Sequence, residues 1–289
     1  MTVNNFIPSV WSARILANLL DAHVYGTVAN RDYQGDITAM GDTVKINAIG
    51  AVTIGSYTKN TNISAVATLT DAQTTLTIDQ AAYFNFQVDD IDRAQQTPKI
   101  MNEAMRQAAW GLRDNVDAYI AALHSDTPAA NKLGSDASPR ALGSLTAGSA
   151  AYDSMVDAMV LLDTNNAPKA GRWVVIPPWF HGVILKDSRF VANTESGNMR
   201  MENGMVGRMA GFDIYVSNNV TYTGSGSTAS WRIMFGYPGT ISLAEQVNSV
   251  EAYRPELRFA DAVKGLLLYG AKVIRPATLV TLYAKTASS

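Results

Sequence analysis

The chain has 289 residues, enough for a sizeable core in one or two domains, and 47% of them are apolar, which marks a globular rather than a disordered chain. The net charge of −2 lacks the basic excess of a free-standing nucleic-acid binder, and no run of about 18 uncharged apolar residues is present to cross a membrane. The absence of cysteine excludes disulfides, thiolate metal sites and a cysteine nucleophile.

Charged residues make up 17% of the chain, against about 25% in a typical soluble domain. Two readings fit. Much of the surface could be covered by partners, because interface cores are depleted in charge. Equally, the surface could be neutral and polar. The opening stretch, MTVNNFIPSVWSARILANLL, lacks the basic start of a secretory signal, which fits a cytosolic protein.

In chain order, residues 1–8 read as an irregular arm. A helix is expected from Pro8-Ser9 to about Tyr25-Gly26, with Trp11, Ile15, Leu19 and Ala22 as its apolar stripe. From Thr75 to Asp89 the even positions are Leu76, Ile78, Gln80, Ala82, Phe84, Phe86 and Val88, and the odd ones are mostly polar. That period of two predicts one long strand with a buried face. Val44, Ile46, Ala48, Val52 and Ile54 alternate in the same way upstream. The two strands, joined by GSYTKNTNISAVATLTDAQT, form a long hairpin with a nearly uncharged tip and a reach of roughly 40 Å. A two-stranded arm cannot bury its apolar face on itself, so a neighbouring subunit is its natural support.

Thr97-Pro98 begins a long amphipathic helix over 99–124, carried by Ile100, Met105, Ala108, Leu112, Val116, Ile120 and Leu123, with Gly111 as its weak point. Residues 125–150 read as loop. A helix from Tyr152 to Thr164 follows, with Val156, Met159, Val160 and Leu162 apolar. Strands are expected at Trp173–Ile176, Phe212–Val216, Trp231–Phe235, Lys264–Ile274 and Leu279–Tyr283, with 192–208 irregular.

Catalytic patterns are missing. There is no G-x-S-x-G elbow and no phosphate loop, and His23, His124 and His181 form no ligand pair. Asp89, Asp90 and Asp92 could hold a divalent cation, but acids at a strand end leading into a helix are the commoner case. His181 follows Pro177-Pro178 and has no evident orienting partner, so it reads as a packing or surface histidine. No catalytic, metal or cofactor-binding residue is assigned, and no cofactor is expected.

An arm, an extended hairpin, a long helix, a mixed lobe and a closing strand pair, in that order, resemble the major capsid protein of tailed bacteriophages, with its HK-ninety-seven-like fold. Three stretches add to the resemblance: Gly204–Asn218 with its spaced glycines, RWVVIPPWFHGVILKDSRF, and VEAYRPELRFADAVKGLLLYGAKVIRP. The resemblance implies an α+β chain with an N-terminal arm and helix over 1–28 and an extended hairpin over 29–90. It implies a spine helix and peripheral domain over 91–145, completed by 246–289, and an α/β axial lobe over 146–245. It also implies a non-enzymatic subunit of an icosahedral shell around double-stranded DNA, located in the virion and assembled in the host cytoplasm. The expected partners are further copies of the chain in hexamers and pentamers, a separate scaffolding protein, weakly and non-specifically bound DNA, a portal and decoration proteins, and no membrane. Arm-like sequence begins at residue 1, so no fused scaffolding segment is expected. Phe6, Trp11, Tyr57, Lys59, Ile63, Val66 and Leu69 are the candidate intersubunit contacts. A nanocompartment shell of the same fold is the nearest alternative, and a cytosolic hydrolase using His181 or the Asp89–Asp92 cluster the more distant one.

Overall fold

Alternation of apolar and polar residues puts the chain after Thr43 into strands, and the partners of those strands set the architecture. The computed structural model describes residues 24–32, 43–49, 56–57, 59–60, 62, 71–89, 99–142, 148–185, 205–226, 229–257 and 260–286. β1 (Thr43–Ile49) and β2 (Asp71–Thr77) form an antiparallel ladder in unbroken register from Thr43 opposite Thr77 to Ile49 opposite Asp71. Seven residues per strand span about 23 Å. Val52, Ile54 and most of the predicted tip lie outside the described residues.

The single strand expected over 75–89 is two strands. The chain leaves β2, passes through Ile78-Asp79, and resumes as β3 (Gln80–Asp89) in a different sheet, paired with β12 (Ala260–Val273). Gly270 of β12 makes the crossing possible. A Cβ there would lie 2.3 Å from the Thr77 carbonyl oxygen and 3.0 Å from Ile78 Cα. Because the interruption is two residues long, parity survives it, and Leu76, Ile78 and Ala82 are all buried. Ile46, Leu76 and Ile78 pack with Ala244 and Leu268 of the same chain. The base of the hairpin is therefore covered by its own subunit, and only the part beyond it calls for another support.

The long helix, α2 (Lys99–Ala122), spans about 36 Å and buries Leu112, Val116 and Ile120 with Ala109 and Ala121. It packs with a three-stranded antiparallel sheet ordered β11-β12-β3, where β11 is Ile241–Tyr253. The sequence reading missed β11. Its first five residues, Ile241 to Glu245, are all buried, and a register shift between Val247 and Ser249 interrupts the period later. Neither half shows clean alternation.

A short helical turn, α1 (Tyr25–Val28), stands where the N-terminal helix was expected to end; residues before 24 lie outside the described set. The Asp117 carboxylate of α2 accepts the Val24 N–H at 2.9 Å and the Gly26 N–H at 3.3 Å, supplying from another element the acceptors that a helix start lacks. Beyond α1, Asn30 bridges to Ser242 of β11, and the Arg31 guanidinium meets the buried Glu245 carboxylate at 2.6 Å. The start of the described chain is thus pinned to both α2 and β11.

The second sheet is mixed and eight-stranded. Its strands are β4 (Lys132–Leu133), β5 (Arg140–Leu142), β6 (Trp173–Ile176), β7 (Met205–Met209), β8 (Phe212–Val216), β9 (Tyr222–Thr223), β10 (Ser230–Gly236) and β13 (Val280–Thr286). Their order is β4-β13-β10-β6-β8-β7; β5 also pairs with β13 and β9 with β10. Three expectations change here. β4 and β5 arise within the stretch read as loop, because Leu133 and Leu142 reach the core beside β13. β7 arises within the stretch read as irregular. It turns into β8 through Ala210-Gly211, both at positive φ (49° and 82°), as a two-residue hairpin turn that matches strand twist requires. The third is helix α3 (Gly148–Thr164), which starts four residues early and buries Ala151, Met155, Ala158 and Leu162; Val160 is exposed.

All four residues of β6 are buried. Val174 and Ile176 join the core of α3 and α4 (Pro178–Leu185), while Trp173 and Val175 join the core of α2. The eight-stranded sheet is thus covered on both faces, which is why its central strand reads as an unbroken apolar run.

β11 and β12 lie in the three-stranded sheet, whereas β13 lies in the eight-stranded one. The switch occurs at the turn Pro276–Thr278. Asn131 holds that turn by donating to the Ala277 carbonyl at 2.8 Å and the Leu279 carbonyl at 3.0 Å. Arg172, almost fully buried, fastens the end of α3 in a similar way through Asp163, Ala167 and Pro168. The Arg172 hydrogen bond holds the Asp163 carboxyl below the usual carboxylate range.

Candidate assembly surfaces

Of the seven sequence-predicted contacts, Tyr57 and Lys59 lie within the described residues; Phe6, Trp11, Ile63, Val66 and Leu69 lie outside them. Tyr57 is 72% exposed and Lys59 is exposed, beside a turn in which Asn60 has a φ of 69°. An aromatic ring so exposed near the tip of a hairpin contributes nothing to this subunit's core.

The structure adds surface residues that the sequence reading did not select. Among the described residues, Tyr83, Trp110, Val160, Tyr222, Tyr253 and Leu257 are also large, apolar and exposed. They are spread over β3, α2, α3, β9, β11 and the turn between β11 and β12. Leu257, in that turn, is 97% exposed. Tyr222 stacks on Trp231 of β10 at 4.5 Å. Tyr253 donates to the Asn85 side-chain oxygen at 3.2 Å and lies 5.4 Å from the Lys264 ammonium, which also meets Glu251 at 2.9 Å. One signal could have found Tyr83: it is an aromatic on the otherwise polar face of an alternating strand.

The described residues among those weighed for catalysis, Asp89, His124 and His181, lie on separate elements. His181 lies in α4, half-buried, and its backbone N–H donates to Pro177 at 3.3 Å. Its buried Nε2 has no hydrogen-bond partner among the described residues. His124 lies in the 3-10 turn Leu123–Asp126 that follows α2, with Nδ1 3.0 Å from the Ala121 carbonyl oxygen, and burial pushes its pKa below the ordinary histidine value. Asp89 is the last residue of β3; Asp90, Asp92 and His23 lie outside the described residues. Among the described residues no group of three acidic or histidine side chains could hold a metal ion.

His181→Ala is expected to leave particle formation intact and to shift stability by about 1 kcal/mol or less, since the ring is only half-buried. Sedimentation of assembled material and thermal unfolding check this. Loss of a catalytic activity in that variant would overturn the packing role.

Comparison with known proteins points in one direction. A family model described as phage capsid protein matches residues 71–282, well over half the chain. No curated protein sequence matches. Among solved structures, a chain from Mycobacterium phage Che8 is 25% identical, with 90% of each chain covered and a TM-score of 0.68. A chain of the capsid of the cyanophage P-SCSP1u is 16% identical, with 92% of this chain and 89% of that one covered and a TM-score of 0.70. A chain of a virus-like particle from Pyrococcus furiosus is 12% identical, with 95% and 98% covered and a TM-score of 0.58. With these matches and surfaces that present apolar side chains on several sides, the chain belongs to the phage capsid protein family, as a major capsid protein of HK-ninety-seven-like fold that builds a shell from copies of itself.

Proposed function

We propose that copies of this chain close into an icosahedral shell, as hexamers and pentamers, around the double-stranded DNA of a tailed phage. The observation that carries this reading is the placement of exposed apolar side chains. Tyr83, Trp110, Val160, Tyr222 and Tyr253 sit on the three-stranded and eight-stranded sheets and both long helices, and Tyr57 and Leu257 on connections, of a chain that already has its own core. Heterologous contacts that close around symmetry axes need two unlike patches per interface, and one subunit must carry them all.

In this reading the hairpin tip, with Tyr57, Lys59, Ile63, Val66 and Leu69, lies on a neighbour. The arm, with Phe6 and Trp11, does the same. The three-stranded sheet with α2 forms the peripheral part, and the eight-stranded sheet with α3 and α4 the axial part. The subunit performs no catalytic step and needs no cofactor. A net charge of −2 supports only weak, non-specific contact with packaged DNA. Assembly takes place in the host cytoplasm, with a separate scaffolding protein, a portal and decoration proteins as further partners.

Electron microscopy of the purified chain, with and without a scaffolding protein, tests the reading, together with extraction of nuclease-protected contents from particles made in infected cells. Closed shells holding DNA are expected. A chain that stays monomeric under all salt and concentration conditions with scaffold present would refute it. Shells filled with one protein instead of DNA would make it a nanocompartment.

A further inference from the structure

We propose that His124 makes the joint between α2 and the eight-stranded sheet acid-sensitive: with a neutral ring the end of α2 sits against both the three-stranded and the eight-stranded sheet, and protonation of the ring drives it off the eight-stranded one. This is a property of the single subunit and holds whether or not copies assemble.

α2 serves both sheets at once. The core around Leu112, Val116 and Ile120 takes in Trp173, Val175 and Met234 of the eight-stranded sheet and Leu243, Val263 and Leu267 of the three-stranded one. The turn Leu123–Asp126 ties the end of the helix to both. Asp126 reaches Lys272 of β12 at 3.9 Å. Thr127, directly after the turn, meets Thr281 of β13 hydroxyl to hydroxyl at 2.7 Å, with both residues buried. The Thr127 N–H donates to the His124 carbonyl at 3.2 Å, so His124 belongs to the backbone that carries both ties.

A histidine at a helix C-terminus ordinarily gains from being charged, because the last carbonyls carry partial negative charge. His124 makes that contact: Nδ1 donates to the Ala121 carbonyl oxygen 3.0 Å away, so Nδ1 holds the proton of the neutral ring and Nε2 is left to titrate. Its surroundings oppose the charge. Arg232 of β10 and Lys132 of β4 act on it as cations, against Asp136 of the β4–β5 connection. Asp136 is already engaged, since the Arg232 guanidinium, only 12% exposed, donates to it at 2.9 Å. Asp126 is turned to Lys272. Burial pushes the phenol of Tyr283, opposite Arg232 on β13, above its usual range, so it adds no negative charge. Burial first, and the two cations after it, hold the His124 ring below the ordinary histidine value. The unfolded chain therefore takes the proton more readily than the folded one. Stability is complete above about pH 6.5 and is lost as the pH falls from there through the folded value. Both opposing cations stand on the eight-stranded sheet, so the repulsion parts the turn from that sheet and leaves the side of Lys272 in place.

The test uses the full chain in its unassembled form. His124→Asn keeps a donor for the Ala121 carbonyl and removes the titrating atom. On going from about pH 7 to about pH 5, the thermal midpoint of the parent should fall by about 2 °C or more beyond that of the variant, because every other titrating group is common to both. At the acid end the parent's hydrogen-exchange protection should drop about tenfold relative to the variant at the Thr127 and Asn131 N–H groups. The β11–β12 ladder should keep its protection. A third measurement does not depend on the Asn variant folding: the His124 ring, followed by NMR, should titrate below about 6.5, and Lys132→Met should move that midpoint upward. Parallel melting profiles for parent and His124→Asn would overturn the proposal. So would a ring that titrates at or above the ordinary value, a midpoint unmoved by Lys132→Met, or an acid loss of protection shared equally by the β11–β12 ladder.

Discussion

Deleting Tyr57–Leu69 is expected to leave a folded subunit that no longer builds shells. The cut spares the ladder from Thr43–Thr77 to Ile49–Asp71, and with it the small core of Ile46, Leu76, Ile78, Ala244 and Leu268. Tyr57 is mostly exposed. Shortening a connection changes closure entropy by only about 0.6 kcal/mol per halving, so folding should hardly notice. Assembly should notice strongly, because each subunit loses the same contact and the loss recurs at every equivalent interface. Circular dichroism, thermal unfolding and sedimentation, run side by side, separate the outcomes. An unfolded variant would place the tip in the core. Particles at the parental yield would mean the hairpin does not bridge neighbours.

The second large effect is expected from Gly270→Ala. The added Cβ would stand 2.3 Å from the Thr77 carbonyl oxygen, and that atom belongs to backbone rather than to a side chain able to rotate away. Thr77 is also paired with Thr43, so β2 cannot shift without straining the ladder. Overpacking a fitted site costs about 1–3 kcal/mol, and a backbone collision belongs at the upper end. The strain falls where the chain passes from one sheet to the other, so the base of the hairpin should loosen before the rest. Denaturant unfolding should show the lost stability, and hydrogen exchange should show reduced protection at Leu76 and Ile78 while the β10–β13 pairing stays protected. Stability within a few tenths of a kcal/mol of the parent would show that β12 and β2 are not held at this crossing. At Gly111, mid-helix in α2, a Cβ would meet nothing within 4 Å, so the same methyl group should stabilise there, which makes the pair a controlled comparison within one fold.

Much of the element order was legible because periodicity is a local property. The amphipathic stripe Leu112, Val116 and Ile120 marks α2 from its own spacing, and the even-numbered face from Val44 to Phe86 marks the hairpin and the strand after it. The order of these elements was enough to point to the capsid family that residues 71–282 match. The pairing partners were not legible. Alternation runs on past Ile78-Asp79 with Gln80 as its one lapse, yet the ladder changes partner there, because a strand's period says which face is buried and not against what. β11 was hidden because burial on both faces and a register shift erase the period, and β4 and β5 because two or three residues are too few to show one.

What the sequence by itself determined, then, is which residues face inward along each long element, together with a sparsely charged chain free of cysteine and catalytic patterns. Only the tertiary structure decided that the chain passes from β12 in the three-stranded sheet to β13 in the eight-stranded one, that Asp117 holds the chain at Val24 and Gly26, and that Tyr83 and Gly111 line one cleft. Those are contacts between residues tens to hundreds of positions apart. They arise from how complete elements pack, and no local pattern encodes them.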